Sequence, residues 1–406
     1  MNVFYTFIIF EDIKLKNNVL SSIRSFKEKP NVFDNFKSEV VVESPGRINL
    51  IGEHTDYNEG FVLPTAIDKK IILKFQKNHT ENFCRIYSET FNTGFEFQLD
   101  KAFEKGSDWE NYILGVVKEL QYHSSKLEGF DCLIESRLPV GAGISSSAAL
   151  ECGIASGLNE LFDLGLDKLD IVKLSQKAEN EFVGSNCGIM DQYSSVMSKE
   201  DHIILLDCRS LKSEFIPADF KDCKLLLLNT NVSHNLADSD YNSRREECEA
   251  AVAIIQKEMP EIKSVRDLSF EILNRFKDQL TGKMYERCLY VLKENERVLS
   301  AVKTLKSGSL KSFGDLMYSS HEGLQHNYEV SCPELDFLVD YSRDKEFIYG
   351  SRMMGGGFGG CTINLIEKDK IDDYIEEVSS AYFNKFNIKL DAISVHPDEG
   401  TKIFKK

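Results

Sequence analysis

One stretch constrains the fold more than any other: Leu138-Pro139-Val140-Gly141-Ala142-Gly143-Ile144-Ser145-Ser146-Ser147-Ala148-Ala149-Leu150. It joins an apolar, strand-like run, Phe130 to Ile134, to an Ala-rich helical run that begins near Ser145 and continues past Leu158. Two closely spaced glycines let consecutive backbone N–H groups turn inward, and the following helix adds the positive end of its dipole. The serines are expected to cap that helix and to offer hydroxyls to a phosphate or a divalent cation. The result is an anion cradle without a lysine. A Walker A loop would require Gly-Lys-Ser/Thr, and a protein-kinase glycine loop would require HRD and DFG downstream; neither is present. Taken alone, the stretch also suits an ordinary strand-to-helix turn with capping serines.

Around this loop the pattern is mixed. From Glu39 to about Asp207 short β-rich runs dominate, among them Val40-Val41-Val42 and Ile71-Ile72-Leu73, interrupted by a helical pattern over Trp109–Tyr122. After the apolar run Leu225–Leu228 the chain reads as helical over Ser243–Lys257, Met284–Lys306 and Ser312–Leu324. A glycine turn, Gly355–Gly360, then leads into a strand over Cys361–Ile366, a helix over Asp369–Phe383 and a last strand around Ile393. The expectation is an α+β protein of two lobes, residues 1–210 and 211–406, meeting somewhere between 205 and 225. The apolar opening, Met1 to Phe10, has no basic segment before it and is too short to span a bilayer; it reads as a strand or an extension.

Composition narrows the partners. A net charge of −16 over 406 residues disfavours non-specific contact with nucleic acid or an anionic membrane. The ten cysteines are scattered with no CxxC pair, which argues against a paired-thiol zinc site and suits a reducing cytoplasm.

A second constellation follows the first strand: Ser44-Pro45-Gly46-Arg47-Ile48-Asn49-Leu50-Ile51-Gly52-Glu53-His54-Thr55-Asp56-Tyr57-Asn58. Glu53, His54 and Asp56 supply several acceptors and a donor within four residues, which is the equipment needed to read sugar hydroxyls. A pocket that pairs particular hydroxyls rejects analogues that leave its buried groups unpaired. This string resembles the signature of galactokinases within the GHMP kinase superfamily. The Gly/Ser loop resembles the superfamily's second motif, and Met353-Met354-Gly355-Gly356-Gly357-Phe358-Gly359-Gly360-Cys361 resembles its third. Cys187-Gly188-Ile189-Met190-Asp191-Gln192 and Tyr328-Glu329-Val330-Ser331-Cys332-Pro333-Glu334-Leu335-Asp336 are similar to stretches particular to galactokinases. The likeness runs from about residue 39 to the C-terminus.

The resemblance implies a GHMP kinase fold, with an N-terminal lobe like the second domain of ribosomal protein S5 and a ferredoxin-like C-terminal lobe. It also implies ATP-dependent phosphorylation of galactose at C1, with Mg2+, in a cytoplasmic monomer. Carried over residue by residue, Asp191 and Arg47 are the catalytic candidates. Glu53, His54, Asp56, Gly188 and Tyr241 are the sugar contacts. Trp109, Tyr112, Gly141, Gly143, Ser145, Ser146 and Ser147 line the nucleotide site. Ser147 and Glu179 hold the cation, with Ser146 and Glu181 as neighbours that sequence alone does not separate from them. Asp191 either takes the sugar proton late in a loose transition state or only orients the hydroxyl. Tyr241 falls in a polar segment ahead of an amphipathic helix, and Trp109 and Tyr112 share a helical face that core packing would also explain. Two alternatives are a kinase for N-acetylgalactosamine or another hexose, and a catalytically silent galactose and ATP sensor. The intact Ser145-Ser146-Ser147-Ala148-Ala149 run favours an enzyme over the sensor.

Overall fold

The computed structural model describes residues 23–139, 141–233 and 237–406, so the opening segment, Met1 to Phe10, lies outside the described residues. In chain order the first part contains β1 (Ile23–Phe26), β2 (Val40–Asn49), β3 (Phe61–Val62), β4 (Pro64–Lys77), β5 (Phe83–Ser88) and β6 (Thr93–Gln98). Helix α1 (Asp108–His123), β7 (Phe130–Ser136), α2 (Ser146–Phe162), α3 (Lys168–Ala178), α4 (Met190–Met197), β8 (His202–Asp207) and β9 (Ser213–Pro217) follow. The second part runs β10 (Cys223–Ser233), α5 (Ala237–Gln256), α6 (Phe270–Arg275), α7 (Met284–Lys306), α8 (Leu310–Gly323) and α9 (Pro333–Arg343). It ends with β11 (Ile348–Met353), β12 (Gly359–Glu367), α10 (Ile371–Phe386), β13 (Asp391–Val395), β14 (Pro397–Asp398) and β15 (Lys402–Lys405).

The large sheet is ordered β1-β6-β5-β7-β4-β2-β15, with β14 paired to β4. Helix α2 lies across β2 and β4 at close range. A Cβ at Gly157 would come within 2.1 Å of the Phe75 ring, and one at Gly153 within 2.5 Å of Leu73. The missing side chains let the helix, and with it the Gly/Ser loop at its start, settle directly on the sheet.

The second sheet is antiparallel, ordered β11-β12-β10-β13. With α9 and α10 it makes the β-α-β-β-α-β order of a ferredoxin-like unit. Its central strand explains the run of four leucines. Leu225 and Leu227 enter the main core shared with the first part of the chain, whereas Leu226 and Leu228 face Leu338, Tyr374 and Tyr382 beneath α9 and α10. A strand buried on both faces has no need of polar alternation. Cys361, Ile363 and Leu365 of β12 join the same main core as Ile48 and Leu50. A third core, containing Cys248, Phe276, Tyr290 and Tyr328, fills the helical region around α5, α6 and α7.

The chain end belongs to the first sheet: Lys402–Lys405 pair with β2, from Lys402 opposite Glu43 to Lys405 opposite Val40. A cut at residue 210 is therefore not a clean boundary for the first sheet. The expected helices are all present with ends shifted by a few residues. The exception is α5, which starts at Ala237, so that Tyr241 lies within the helix and not ahead of it.

Candidate active site

The Gly/Ser loop enters α2 through alternating left-handed residues: Gly141, Gly143 and Ser145 have φ of 73°, 68° and 57°. Such alternation turns successive N–H groups toward one side. Ser145 differs from the sequence expectation. Its left-handed backbone makes no side-chain cap on the helix, and its hydroxyl donates to Asp191 Oδ2 instead.

Asp191 stands in the first turn of α4. Arg47, on β2 and buried, grips it bidentately, with Nε donating to Oδ1 at 2.7 Å and Nη2 to Oδ2 at 2.8 Å. The remaining Arg47 nitrogen donates to the Gly143 carbonyl at 2.8 Å, and the Arg47 backbone N–H to the Ile144 carbonyl at 3.0 Å. One arginine thus fixes both the acidic residue and the phosphate loop. Burial works against the Arg47 charge, but Asp191 beside it holds the guanidinium above its usual range.

Two cavities meet at Arg47, and Asp191 lines the smaller of them. The larger, about 430 Å³, is lined by Gly141, Gly143, Ser145, Ser146 and Ser147, with Trp109 and Tyr112 on its wall. Among the described residues that line it, Arg47 is the one cation. Trp109 is only partly committed to the core, meeting Phe95 edge-on at 5.4 Å. The half-exposed Phe91 ring lies 6.1 Å from Trp109 and lines the same cavity. Sequence reading missed Phe91. The signal was there, a large apolar residue in a turn between two strands, but nothing local says which cavity it faces.

The smaller cavity, about 250 Å³, is lined by Arg47, Glu53, His54, Asp56, Glu179, Asp191, Tyr241 and the glycines 355–357. Burial, then the nearby Asp191 charge, push the Asp56 carboxyl up to about 7. Burial pushes the His54 imidazole down to about 3, so the ring is neutral. Gly188 stands behind Asp56 and not on the cavity wall: a Cβ there would fall 2.0 Å from Asp56 Oδ2. Its role is to leave room for that carboxylate. Tyr241 covers His54 at 5.4 Å between ring centres.

Glu53 is held by a residue that sequence reading did not single out. Arg352, at the end of β11 and fully buried, donates to Glu53 Oε1 at 2.8 Å and to the backbone carbonyls of Leu50, Asn49 and Met353. The Gly355 N–H donates to the same Glu53 oxygen at 2.9 Å. An arginine as the one charged residue of the strand Ile348–Met353 was the available signal.

The structure also separates the paired candidates for the cation. Glu179 is buried and lines both cavities, with Ser147 on the wall of the larger one, while Glu181 points to solvent near Lys177. Burial and the Asp191 charge push Glu179 up to about 7, as expected of a carboxylate set where a cation would neutralise it. Gln192 Nε2 orients it at 2.6 Å. Among the described residues no three His, Cys, Asp or Glu side chains form a cage, but Mg2+ keeps most of its waters and needs only one or two protein oxygens. The Ser147–Glu179 pair fits that demand.

The sequence matches the profile of the GHMP kinases N terminal domain over residues 111–199 and that of the GHMP kinases C terminal over 301–385. The galactokinase galactose-binding signature matches residues 31–77. A galactokinase of Thermosipho africanus is 42% identical over 363 residues, covering 89% of this chain and 99% of the relative. The chain belongs to the galactokinase family. It is a sugar kinase with the GHMP fold. A galactokinase of Fusobacterium nucleatum is 41% identical over 375 residues, covering 90% of this chain and 95% of the relative. Lactococcus lactis galactokinase complexed with galactose superposes with a TM-score of 0.85 at 34% identity, covering 90% of this chain and 95% of the other. The mevalonate kinase of Methanococcus jannaschii shares the fold, with a TM-score of 0.62 at 20% identity over 89% of this chain and 99% of the other. Among the described residues no helix is long and apolar enough to cross a membrane.

Proposed function

We propose that the protein transfers the terminal phosphoryl group of ATP to the C1 hydroxyl of galactose, giving galactose 1-phosphate and ADP. The observation that carries this reading is Arg47, which lines both a Gly/Ser-lined cavity and a cavity lined by Glu53, His54 and Asp56 and grips Asp191 on the wall of the second. A nucleotide in the first, its base against Trp109, Tyr112 and Phe91, aims its last phosphate at a sugar in the second. Glu53, His54, Asp56 and Tyr241 meet the sugar's hydroxyls and ring face, and Gly188 gives Asp56 its place.

Asp191 already accepts three hydrogen bonds, from Arg47 twice and from Ser145. Oδ1 carries one of them and keeps acceptor capacity for a sugar hydroxyl. With most of its lone pairs engaged, the carboxylate is fixed in place to orient the hydroxyl, with the proton received late in a loose transition state. Positioning of this kind supplies roughly 7–11 kcal/mol of barrier reduction. Arg47 and the loop N–H groups face the charge that develops on the moving phosphoryl group. Mg2+, held by Ser147 and Glu179, would supply charge neutralisation of the nucleotide phosphates. The ten free cysteines, eight of them buried, agree with a cytoplasmic protein; a monomer is the proposed state.

The test is ADP release from Mg-ATP with galactose, N-acetylgalactosamine, glucose and mevalonate offered separately. Galactose-dependent turnover is expected. Turnover only with another sugar would refute the specificity assigned to Glu53, His54 and Asp56. Tight binding of galactose and ATP with no turnover would make the protein a sensor.

A further inference from the structure

The stretch Cys187–Gln192 ends on a residue that touches neither cavity. Gln192 follows Asp191 on α4 and is fully buried. Its side-chain amide reaches two carboxylates: Nε2 donates to Glu179 Oε2 at 2.6 Å and to Glu151 Oε2, on α2, at 3.3 Å. The Cys187 thiol, a weaker donor, lies 3.5 Å from the same Glu179 oxygen and 3.3 Å from Asn180 Oδ1. The Cys187 backbone N–H also donates to Asn180 Oδ1, at 2.9 Å, which ties the loop ahead of α4 to the turn that carries Glu179.

A buried amide loses water at both of its ends, and here one end is left uncompensated: among the described residues Gln192 Oε1 has no partner. An apolar side chain of the same length would avoid that cost, so the worth of the glutamine lies at Nε2. Which way the amide faces is fixed as well, since a reversed amide would set its oxygen 2.6 Å from a carboxylate oxygen. Both donors to Glu179, Gln192 and Cys187, fall on Oε2. A carboxylate free to turn offers a cation either oxygen in many orientations, whereas one tethered at Oε2 offers Oε1 in one. Neighbouring residues of a single helical turn thus fix two acids of the site: Asp191, gripped by Arg47, and Glu179, held through Gln192.

We propose that Gln192 is a positioning residue for the cation: by tethering Glu179 Oε2 it leaves Oε1 to Mg2+ in a single orientation. Gln192 has this role only where Glu179 is a cation ligand, as proposed above.

Trp109, the single tryptophan of the chain, stands on the wall of the nucleotide cavity, so its fluorescence reads ADP binding to the full chain. ADP is titrated with and without Mg2+, and the ratio of the two Kd values measures how strongly cation and nucleotide favour one another. Wild type should bind ADP more tightly with Mg2+. Gln192→Met keeps the volume and removes the donor. It should bring the ratio down about tenfold, or to one, with the metal-free ADP Kd and the galactose Kd unchanged. Gln192→Asn keeps an amide but withdraws it by one methylene; it should lose the same coupling, and it carries the test if Gln192→Met fails to fold. An undiminished ratio in a folded variant, or a matching loss of metal-free ADP and galactose affinity, overturns the role of Gln192. Glu179→Gln separates this from the cation site itself. A ratio lost there but kept in the Gln192 variants overturns the positioning alone; a ratio kept in Glu179→Gln overturns the cation site and the positioning with it.

Discussion

Replacing Arg352 by methionine should destabilise the protein far more than any surface change of similar size. The side chain is fully buried and makes four hydrogen bonds, to Glu53 Oε1 and to the carbonyls of Leu50, Asn49 and Met353. Methionine fills most of the volume but donates nothing. Glu53, buried as well, is left with the Gly355 N–H as its remaining partner at that oxygen. Removing one member of a buried ion pair costs about 3–5 kcal/mol, and the stranded carbonyls add to it where water cannot reach them. At about 2–4 °C per kcal/mol for a cooperative unit of 150–250 residues, the size of one lobe, the melting temperature should fall by roughly 6–20 °C. Glu53→Gln keeps an acceptor for both Arg352 and Gly355 and should cost less, about 1.5–3 kcal/mol. Thermal unfolding of the three proteins in one buffer decides it. If Arg352→Met melts within a degree or two of wild type, the Glu53–Arg352 pair does not hold the wall of the sugar cavity.

Asp191→Asn should lower kcat by at least about 10²-fold while calorimetry still detects galactose binding; a mutant that keeps more than about a tenth of wild-type kcat removes Asp191 from the chemistry. In Gly188→Ala the new methyl must displace Asp56, whose Oδ2 lies 2.0 Å from its place, so the galactose KM should rise at least about tenfold with the ATP KM unchanged. An unchanged galactose KM would show that Asp56 does not meet the sugar. With the Asp56 carboxyl pushed up to about 7, the folded protein holds a proton that the unfolded chain releases near pH 4, so stability falls as pH rises across that window. Ligand-free wild type should therefore lose stability relative to Asp56→Asn between pH 5 and 8, and parallel melting curves would show Asp56 ionised throughout.

What was legible in the sequence was local. The Gly/Ser loop, the strand of leucines and the long helices follow from spacing and composition within a dozen residues, and the structure places each close to where the pattern put it, save the early start of α5 at Ala237. Arg47, Asp191, Glu53, His54 and Asp56 line one cavity. What could not be read depends on distant pairing. Nothing in Lys402–Lys405 announces that it pairs with a strand that starts at Val40. Arg352 is a lone charge in its strand until Glu53, far back in the chain, arrives to receive it. The Ser145 hydroxyl reads as a helix cap because its competing acceptor, Asp191, stands on another helix. Glu179 and Glu181 are equivalent as letters; only the turn at 179–183 sends one inward and the other to solvent.

The central claim is transfer to the anomeric oxygen of galactose, and the most direct test is 31P NMR of the product formed from Mg-ATP and galactose. The account predicts a new monoester resonance, formed in step with ADP, whose phosphorus couples to the anomeric proton. Phosphate on another carbon, or no phosphorylated galactose while ATP is consumed, would contradict it.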